Sequence, residues 1–130
     1  MLDYNLHQAV ANTCVFVQTE GFDYFILDNS QTFANPDPPK TGGVELFTIG
    51  GLWLDSNYLD HTNFKCHLFG ALVYDEDFPY NADVEAGGWS NTTPFDVPSV
   101  APNTTYYITV SGVDADGNTL FSVDTNFRFA

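Results

Sequence analysis

Alternation of apolar and polar residues near the C-terminus is the sequence feature that most constrains the fold. In YYITVS, residues 106–111, every second residue is apolar, and the residues between them are tyrosine, threonine or serine. A second alternating run extends over residues 121–129. A period of two buries one face of a β-strand and leaves the other face in solvent. The segment DADGN at 114–118 is a turn signal between the two runs, so the sequence predicts a β-hairpin here.

Two longer strands are predicted upstream of this hairpin. Residues 44–54 form an apolar run in which Gly50 and Gly51 indicate a bulge or bend. Residues 64–74 form a second run, which Gly70 interrupts and whose centre is apolar on both faces. Such a centre indicates that both faces of this strand are covered.

The remaining segments are short strands and turns. Residues 14–18 and 24–27 are β candidates rich in Val, Phe and Tyr. Residues 35–43 contain three prolines, which fix φ and remove hydrogen-bond donors, so this segment cannot be a helix. Residues 79–94 are predicted to form a long loop or a weak strand. No helical period is present, and short strands with Gly and Pro punctuation predict an all-β sandwich or barrel.

The length and composition of the chain fit one folded domain. The 130 residues suffice for one hydrophobic core, and an aromatic content of 16% is typical of a folded chain rather than a disordered acidic one. We therefore expect a single domain over residues 1–130, with residues 1–13 as a candidate flexible N-terminal segment.

The chain is strongly acidic, with 17 Asp and Glu residues, 3 basic residues and a formal net charge of −14. Nucleic acid is excluded as a partner, because phosphate binding needs clustered Lys and Arg. For the same reason, an anionic membrane surface would not attract the chain. The charge is interpreted as a solubilising surface for a Phe-rich protein, with a basic partner or an acidic compartment as alternatives.

The polar motifs of the sequence are interpreted as structural. Residues 114–118 resemble part of a calcium loop but lack the remaining EF-hand ligands, so a hairpin turn is predicted. Residues 75–77 (DED) are interpreted as a solvated strand end. His7, His61 and His67 lack a nucleophile and carboxylate arrangement, and His61 is placed in a loop. The sequence thus predicts no catalytic residue, no metal site and no cofactor, and we do not expect an enzyme.

Targeting signals are weak in this sequence. No segment approaches the ~20 apolar residues of a membrane span. The first ten residues have neither the basic nor the apolar region of a signal peptide, so the chain is either cytosolic or has a leader outside this sequence. Sequons at Asn91 and Asn103 would suit a secreted chain.

Two stretches of the sequence resemble the ML-domain family of lipid-binding proteins. NPDPPKTGGVELFTIGG, residues 35–51, is similar to the P-x-P-P-x-x-G opening of fungal and plant ML domains. Residues 95–129 are similar to the end of that domain: a strand closing in a Val-Pro step, an x-P bend, an alternating strand, a D-x-x-G-type turn and a last strand. The resemblance runs roughly over residues 14–129. The family includes group 2 mite allergens, the Niemann–Pick lysosomal sterol carrier and fungal phosphatidylglycerol/phosphatidylinositol transfer proteins.

The resemblance implies an all-β, immunoglobulin-like sandwich of two antiparallel sheets. It also implies non-enzymatic binding of a lipid (sterol, fatty acid or phospholipid) in a cavity between these sheets. It also favours secretion or the endolysosomal lumen as the location. Phe95 and Val97 lie where the family has a cavity-mouth strand, whereas the faces of Phe47 and Ile49 depend on the nearby glycines. The residues expected to contact the lipid are Phe47, Ile49, Trp53, Leu68, Phe95, Val97, Tyr106, Ile108, Val110, Phe121 and Val123.

The cysteines depart from the family's pattern. ML domains commonly have a disulfide between a cysteine near the start and one in the last strand; Cys14 fits the first position, but Phe121 occupies the second. The family's usual cysteine pair is also missing from residues 79–94. Cys14 is therefore not expected to form a disulfide with the last strand. A disulfide between Cys14 and Cys66 is left as an alternative to two free thiols. These departures support an alternative function, a structural or interaction subunit with a filled core, docked in a larger protein assembly.

Overall fold

β-Strands make up almost all of the regular structure of the chain. The structure is a computed structural model that describes residues 14–102 and 104–129. The candidate flexible segment 1–13, with His7, and the sequon residue Asn103 lie outside the described residues. Nine strands occur in the described part: β1 (Val17–Glu20), β2 (Phe25–Leu27), β3 (Phe33–Asn35), β4 (Val44–Trp53), β5 (Asn57–Leu68), β6 (Ala71–Val84), β7 (Gly87–Asp96), β8 (Tyr106–Val113) and β9 (Thr119–Phe127).

The strands form two antiparallel sheets. The first sheet has the order β1-β9-β8-β5-β6. The second sheet is built around β4, which pairs with β7 along one side and with β2 and β3 along the other. Residues 14–102 and 104–129 contain one short 3-10 turn, Asn29–Gln31, and no α-helix. The predicted all-β sandwich of two antiparallel sheets is therefore confirmed.

The C-terminal hairpin predicted from alternation is confirmed as β8 and β9. Tyr106 pairs with Phe127 at its open end. At its turn, the Asp114 carboxylate accepts hydrogen bonds from the backbone amides of Asp116 and Asn118 at 2.9 and 2.8 Å. These local bonds explain the DADGN motif as a turn, as predicted.

The prediction of one strand over residues 64–74 is wrong, because the chain reverses at its centre. β5 ends at Leu68, β6 begins at Ala71, and Phe69 and Gly70 form the turn between them. These two residues have φ values of 52° and 78°, as a two-residue type I′ turn requires. The sequence signal is weak, because this turn usually has Asn or Asp where Phe69 stands.

The bulge expected at the glycine pair of β4 is also wrong. β4 pairs with β7 in unbroken register from Val44 to Trp53. Glycine is instead required for close approach, since a Cβ on Gly51 would lie 2.4 Å from the Phe25 ring and from the carbonyl oxygen of Ile26. The strand keeps one inward face throughout, so Phe47 and Ile49 are both buried.

Residues 79–94 are mostly strand, so the weak-strand alternative is confirmed and the loop alternative is wrong. β6 continues to Val84 and β7 begins at Gly87, which leaves only Glu85 and Ala86 as a connection. Both are edge strands with many exposed residues. Their alternation is weak for that reason.

Two polar motifs lie inside strands rather than outside them. His61 belongs to β5, not to a loop, and its Nδ1 lies 2.7 Å from Oδ2 of Asp60. Asp75 and Asp77 lie within β6 rather than at a strand end. Both carboxylates accept hydrogen bonds of 2.7 Å from Nδ2 of Asn63 on the neighbouring strand. The bonds from Asn63 to Asp75 and Asp77 therefore link the neighbouring strands β5 and β6.

Aromatic rings pack the core between the sheets. The ring centroids of Phe47 and Phe64, from facing sheets, are 5.5 Å apart, and those of Trp53 and Phe121 are 5.8 Å apart. All four side chains are buried. These contacts join the sheets through the middle of the sandwich.

Candidate functional site

An apolar pocket of about 230 Å³ lies at one end of the sandwich. At this end β5 turns into β6, β7 ends and β8 begins. Both sheets therefore contribute walls to what we call the end pocket. Its lining comprises Cys66, Leu68, Val73, Tyr74 and Tyr106 from the first sheet, Phe95 and Asp96 from the second, and Pro98 and Pro102 from the β7–β8 connection.

Three residues that the sequence predicts to contact a lipid line the end pocket, namely Leu68, Phe95 and Tyr106. Val97 is buried immediately beyond β7, between the pocket residues Asp96 and Pro98. The other predicted residues lie in the buried core: Phe47, Ile49, Trp53, Ile108, Val110, Phe121 and Val123.

Sequence reasoning missed several walls of the pocket. Cys66 was detectable, because it lies two residues before Leu68 and so shares its strand face. Val73 and Tyr74 were hidden, because they follow the unrecognised turn. The β5–β6 register shifts at this point, with Cys66 opposite Tyr74 and His67 opposite Leu72. This β-bulge leaves Val73 unpaired and lets two consecutive residues reach the same pocket.

Few of the residues that line the end pocket are polar. The Tyr106 hydroxyl donates to the carbonyl of Pro102 at 3.1 Å, and the Tyr74 hydroxyl donates to Glu76. Burial raises the pKa of the Cys66 thiol to about 11, so this thiol is neutral and weakly nucleophilic near pH 7. Apolar walls with a few polar groups are typical of ligand sites.

The edge strands β6 and β7 belong to different sheets and do not pair with each other, from the pocket, where Tyr74 and Phe95 lie, to the far end, where Trp89 lies. β6 pairs with β5 and β7 pairs with β4. Side chains bridge the two edges: Nε1 of Trp89 donates to the Tyr80 hydroxyl at 3.0 Å, and the rings of Tyr74 and Phe95 are 5.2 Å apart. We call these four residues the aromatic seam. Because β6 and β7 are connected through Glu85 and Ala86 at the far end, separation of Tyr74 from Phe95, at the other end of the seam, would widen the end pocket.

Glu45 places a carboxyl group in the core close to this end. Glu45 is 1% exposed, and neither carboxyl oxygen has a hydrogen-bond partner among the described residues. Burial most of all, and then the charge of Asp37, raise the pKa of Glu45 to about 7. The Lys40 backbone amide acts in the opposite direction, although its approach to the carboxylate falls short of hydrogen-bond geometry. Glu45 pairs with the pocket residue Phe95 on β7. Its charge is therefore coupled to the packing beside the pocket.

The other features of the described residues are weaker candidates for a functional site. A concavity of about 660 Å³ lies beside β4 and β7, but polar groups such as Asp28 and Gln31 contribute to its lining and it is open to solvent. Within residues 14–102 and 104–129, no three His, Cys, Asp or Glu side chains are grouped so as to hold a metal ion. No helix in that part of the chain has the length and apolar character needed to cross a membrane.

Two solved structures share the fold. Chicken MD-1 in complex with lipid IVa matches with a TM-score of 0.60 and 12% identity, over 90% of this chain and 90% of that chain. A Niemann-Pick type C2 protein from the Japanese carpenter ant matches with a TM-score of 0.58 and 11% identity, over 89% of this chain and 99% of that chain. No protein-family model matches the sequence, and no curated protein matches it at a significant level. Both solved structures are of ML-domain proteins, so the resemblance seen in the sequence is confirmed at the level of the fold.

Proposed function

We propose that this protein binds lipid without chemical conversion, and that it holds an acyl chain or a sterol ring in the end pocket. The observation that carries the proposal is the apolar pocket lined by both sheets at the same end. Chicken MD-1, which has the same fold, is in complex with lipid IVa. Burying an apolar chain supplies the affinity, at about 0.8 kcal/mol per CH₂. The exposed Asp96 at the rim can accept a hydrogen bond from a ligand hydroxyl.

The volume of the pocket determines how much lipid it holds. At about 230 Å³, it lies below the roughly 300–1,000 Å³ typical of sites for drug-sized ligands. The closed protein therefore holds only part of a lipid. A longer segment enters when β6 and β7 separate along the aromatic seam, with the Glu85-Ala86 connection as the hinge.

A pocket-filling substitution tests this proposal. Leu68→Trp adds bulk at the pocket wall, and Leu72→Trp adds the same bulk at an exposed position of the adjoining strand that does not line the pocket. Uptake of a fluorescent fatty acid and of a fluorescent sterol should be lost in Leu68→Trp and kept in Leu72→Trp. Thermal melting verifies that both variants fold. If the unaltered protein takes up neither probe, the proposal is wrong.

The alternative function, an interaction or structural subunit with a filled core, draws support from the packed rings between the sheets. The substitution Ile108→Trp tests whether the core between the sheets is filled. Because Ile108 is buried and lies outside the pocket lining, we expect overpacking with a loss of about 1–3 kcal/mol. Unchanged stability with loss of lipid uptake would instead mean that the ligand occupies the centre of the sandwich. The subunit alternative gains if the unaltered protein takes up no lipid at all.

A further inference from the structure

We propose that the end of the sandwich around the end pocket docks onto the surface of a zwitterionic lipid bilayer. The inference rests on the proposed function, because a bilayer would supply or receive the lipid that the pocket holds. Three observations support it: exposed apolar side chains at the pocket mouth, the identity of one turn residue, and the distribution of charge between the two ends of the molecule.

The mouth of the pocket is rimmed by exposed apolar side chains. Val100 and Phe69 are 88% and 78% exposed, the two highest values among the large hydrophobic residues of the described chain. Phe69 follows the pocket residue Leu68, and Val100 lies between the pocket residues Pro98 and Pro102. The stretch LFGALV, residues 68–73, contains no charged or polar side chain. An apolar surface continuous with an apolar pocket suits contact with the lipid from which the ligand comes.

Neither the turn nor the core explains the phenylalanine at position 69. Its φ of 52° lies in the left-handed region, which a bulky residue adopts at an energetic cost, and Asn or Asp would suit the turn better. Its side chain is almost fully in solvent, so burial offers no compensation. A costly residue at an exposed tip points to a binding role.

Charge is distributed unevenly between the two ends of the sandwich. The connections at the pocket end (36–43, 69–70, 97–102 and 128–129) carry one acidic residue, Asp37, and two basic residues, Lys40 and Arg128. The exposed rim residue Asp96, at the end of β7, adds a second acidic group there. The hydrogen bond from the Gly42 amide to the carbonyl of Pro98 holds two of these connections together. The connections at the far end (21–24, 54–56, 85–86 and 114–118) carry Asp23, Asp55, Glu85, Asp114 and Asp116, and no basic residue.

This distribution favours a zwitterionic bilayer as the occupant. Contact through the far end would remove water from several carboxylates at a cost, whereas contact through the pocket end would bury mainly apolar side chains. The net charge of −14 opposes docking on an anionic bilayer. A phosphatidylcholine surface imposes no such penalty, accepts the apolar tip, and presents phosphate groups to Lys40 and Arg128.

Phe69→Asn tests the docking surface in the full chain. The change removes the exposed ring and creates Asn-Gly, the favoured sequence of this turn, so the variant should fold at least as well. We expect partitioning onto phosphatidylcholine vesicles, measured by co-flotation, to weaken about tenfold or more, as loss of a buried ring of this size implies. Val100→Asn should weaken it in the same direction. Phe22→Asn, which removes an exposed ring at the far end, is the matched control and should leave partitioning unchanged.

Uptake of a soluble fluorescent fatty acid separates docking from pocket binding. Phe69 does not line the pocket, so Phe69→Asn should keep this uptake while transferring lipid from vesicles more slowly. If the unaltered protein takes up the probe but does not partition onto phosphatidylcholine, docking is overturned and the proposed function stands. If it partitions but takes up no probe, the proposed function fails and the docking surface stands. Stronger partitioning when phosphatidylserine is added at low salt would contradict the charge argument and so overturn the choice of bilayer.

Discussion

Glu45 is a carboxyl group that the fold removes from water without supplying a hydrogen-bond donor to either oxygen among the described residues. Its pKa rises from 4.5 to about 7, so the folded protein binds this proton more tightly than the unfolded chain does. The stabilisation from the protonated form is therefore complete below about pH 4.5 and is lost as the pH rises to about 7. Asp28 and Asp114 act outside this window, because hydrogen bonds lower their pKa below 3.8 and their contributions are lost only in stronger acid.

Glu45→Gln should make stability less dependent on pH. We expect the free energy of unfolding of the unaltered protein to fall by on the order of 3 kcal/mol, relative to that of the variant, between pH 4.5 and pH 8. Urea unfolding of both proteins at several pH values measures this difference. Parallel pH profiles would contradict the assignment to Glu45.

The two cysteines give a residue-scale test of where the lipid binds. Both are free and buried, and burial is the largest cause that raises the pKa of Cys14 to about 12 and of Cys66 to about 11. Both thiols should therefore react slowly with alkylating reagents. Cys66 lines the end pocket and Cys14 does not. Bound fatty acid should slow labelling of Cys66 alone, as read by peptide mass spectrometry. Equal protection of Cys14 would indicate general stabilisation rather than a ligand in the pocket.

At the scale of elements, the side chains of the aromatic seam join β6 and β7, which share no backbone ladder. The bond between Trp89 and Tyr80 is 3.0 Å long and joins the two sheets outside any backbone ladder. Trp89→Phe and Tyr80→Phe each remove this bond and keep an aromatic ring. Tyr80→Phe should cost about 1 kcal/mol, and Trp89→Phe should cost more, because the smaller ring also loses contact with Phe25 and Trp53. The double variant should cost less than the sum of the two, because both changes delete the same hydrogen bond.

Opening of the seam should be visible in β6 and β7 themselves. Their backbone amides should exchange hydrogen faster in Trp89→Phe than in the unaltered protein, while β8 and β9 amides remain as protected as before. Uniform loss of protection in both sheets would show that this bond does not act on the β6 and β7 edges alone.

At the scale of the whole molecule, a net charge of −14 on 130 residues produces self-repulsion. Added salt screens such charges over about 10 Å at 0.1 M. We therefore expect Tm at pH 7 to rise as sodium chloride increases from roughly 10 mM to roughly 150 mM. A fall in Tm would mean that favourable ion pairs outweigh the repulsion.

Alternation predicted the C-terminal hairpin, and together with Gly and Pro punctuation it predicted an all-β fold. β8 and β9 each bury one face and expose the other, so their sequence carries a period of two. The same reasoning placed Tyr106, Ile108 and Val110 on one apolar face, and all three are buried. It left the faces of Phe47 and Ile49 open, because Gly50 and Gly51 could have switched them. It failed for β6 and β7, because edge strands with many exposed residues carry little hydrophobic pattern.

The end pocket was decided by the tertiary structure. Its walls come from residues that are distant in sequence, such as Cys66, Phe95 and Pro102, and that meet only because both sheets end at the same place. The reversal at Phe69-Gly70 had no strong local signal, and it determined that Val73 and Tyr74 face this pocket. Local periodicity reports which face of a strand is buried. It does not report which strands share an end of the sandwich, because that depends on the order in which strands pair across the whole chain.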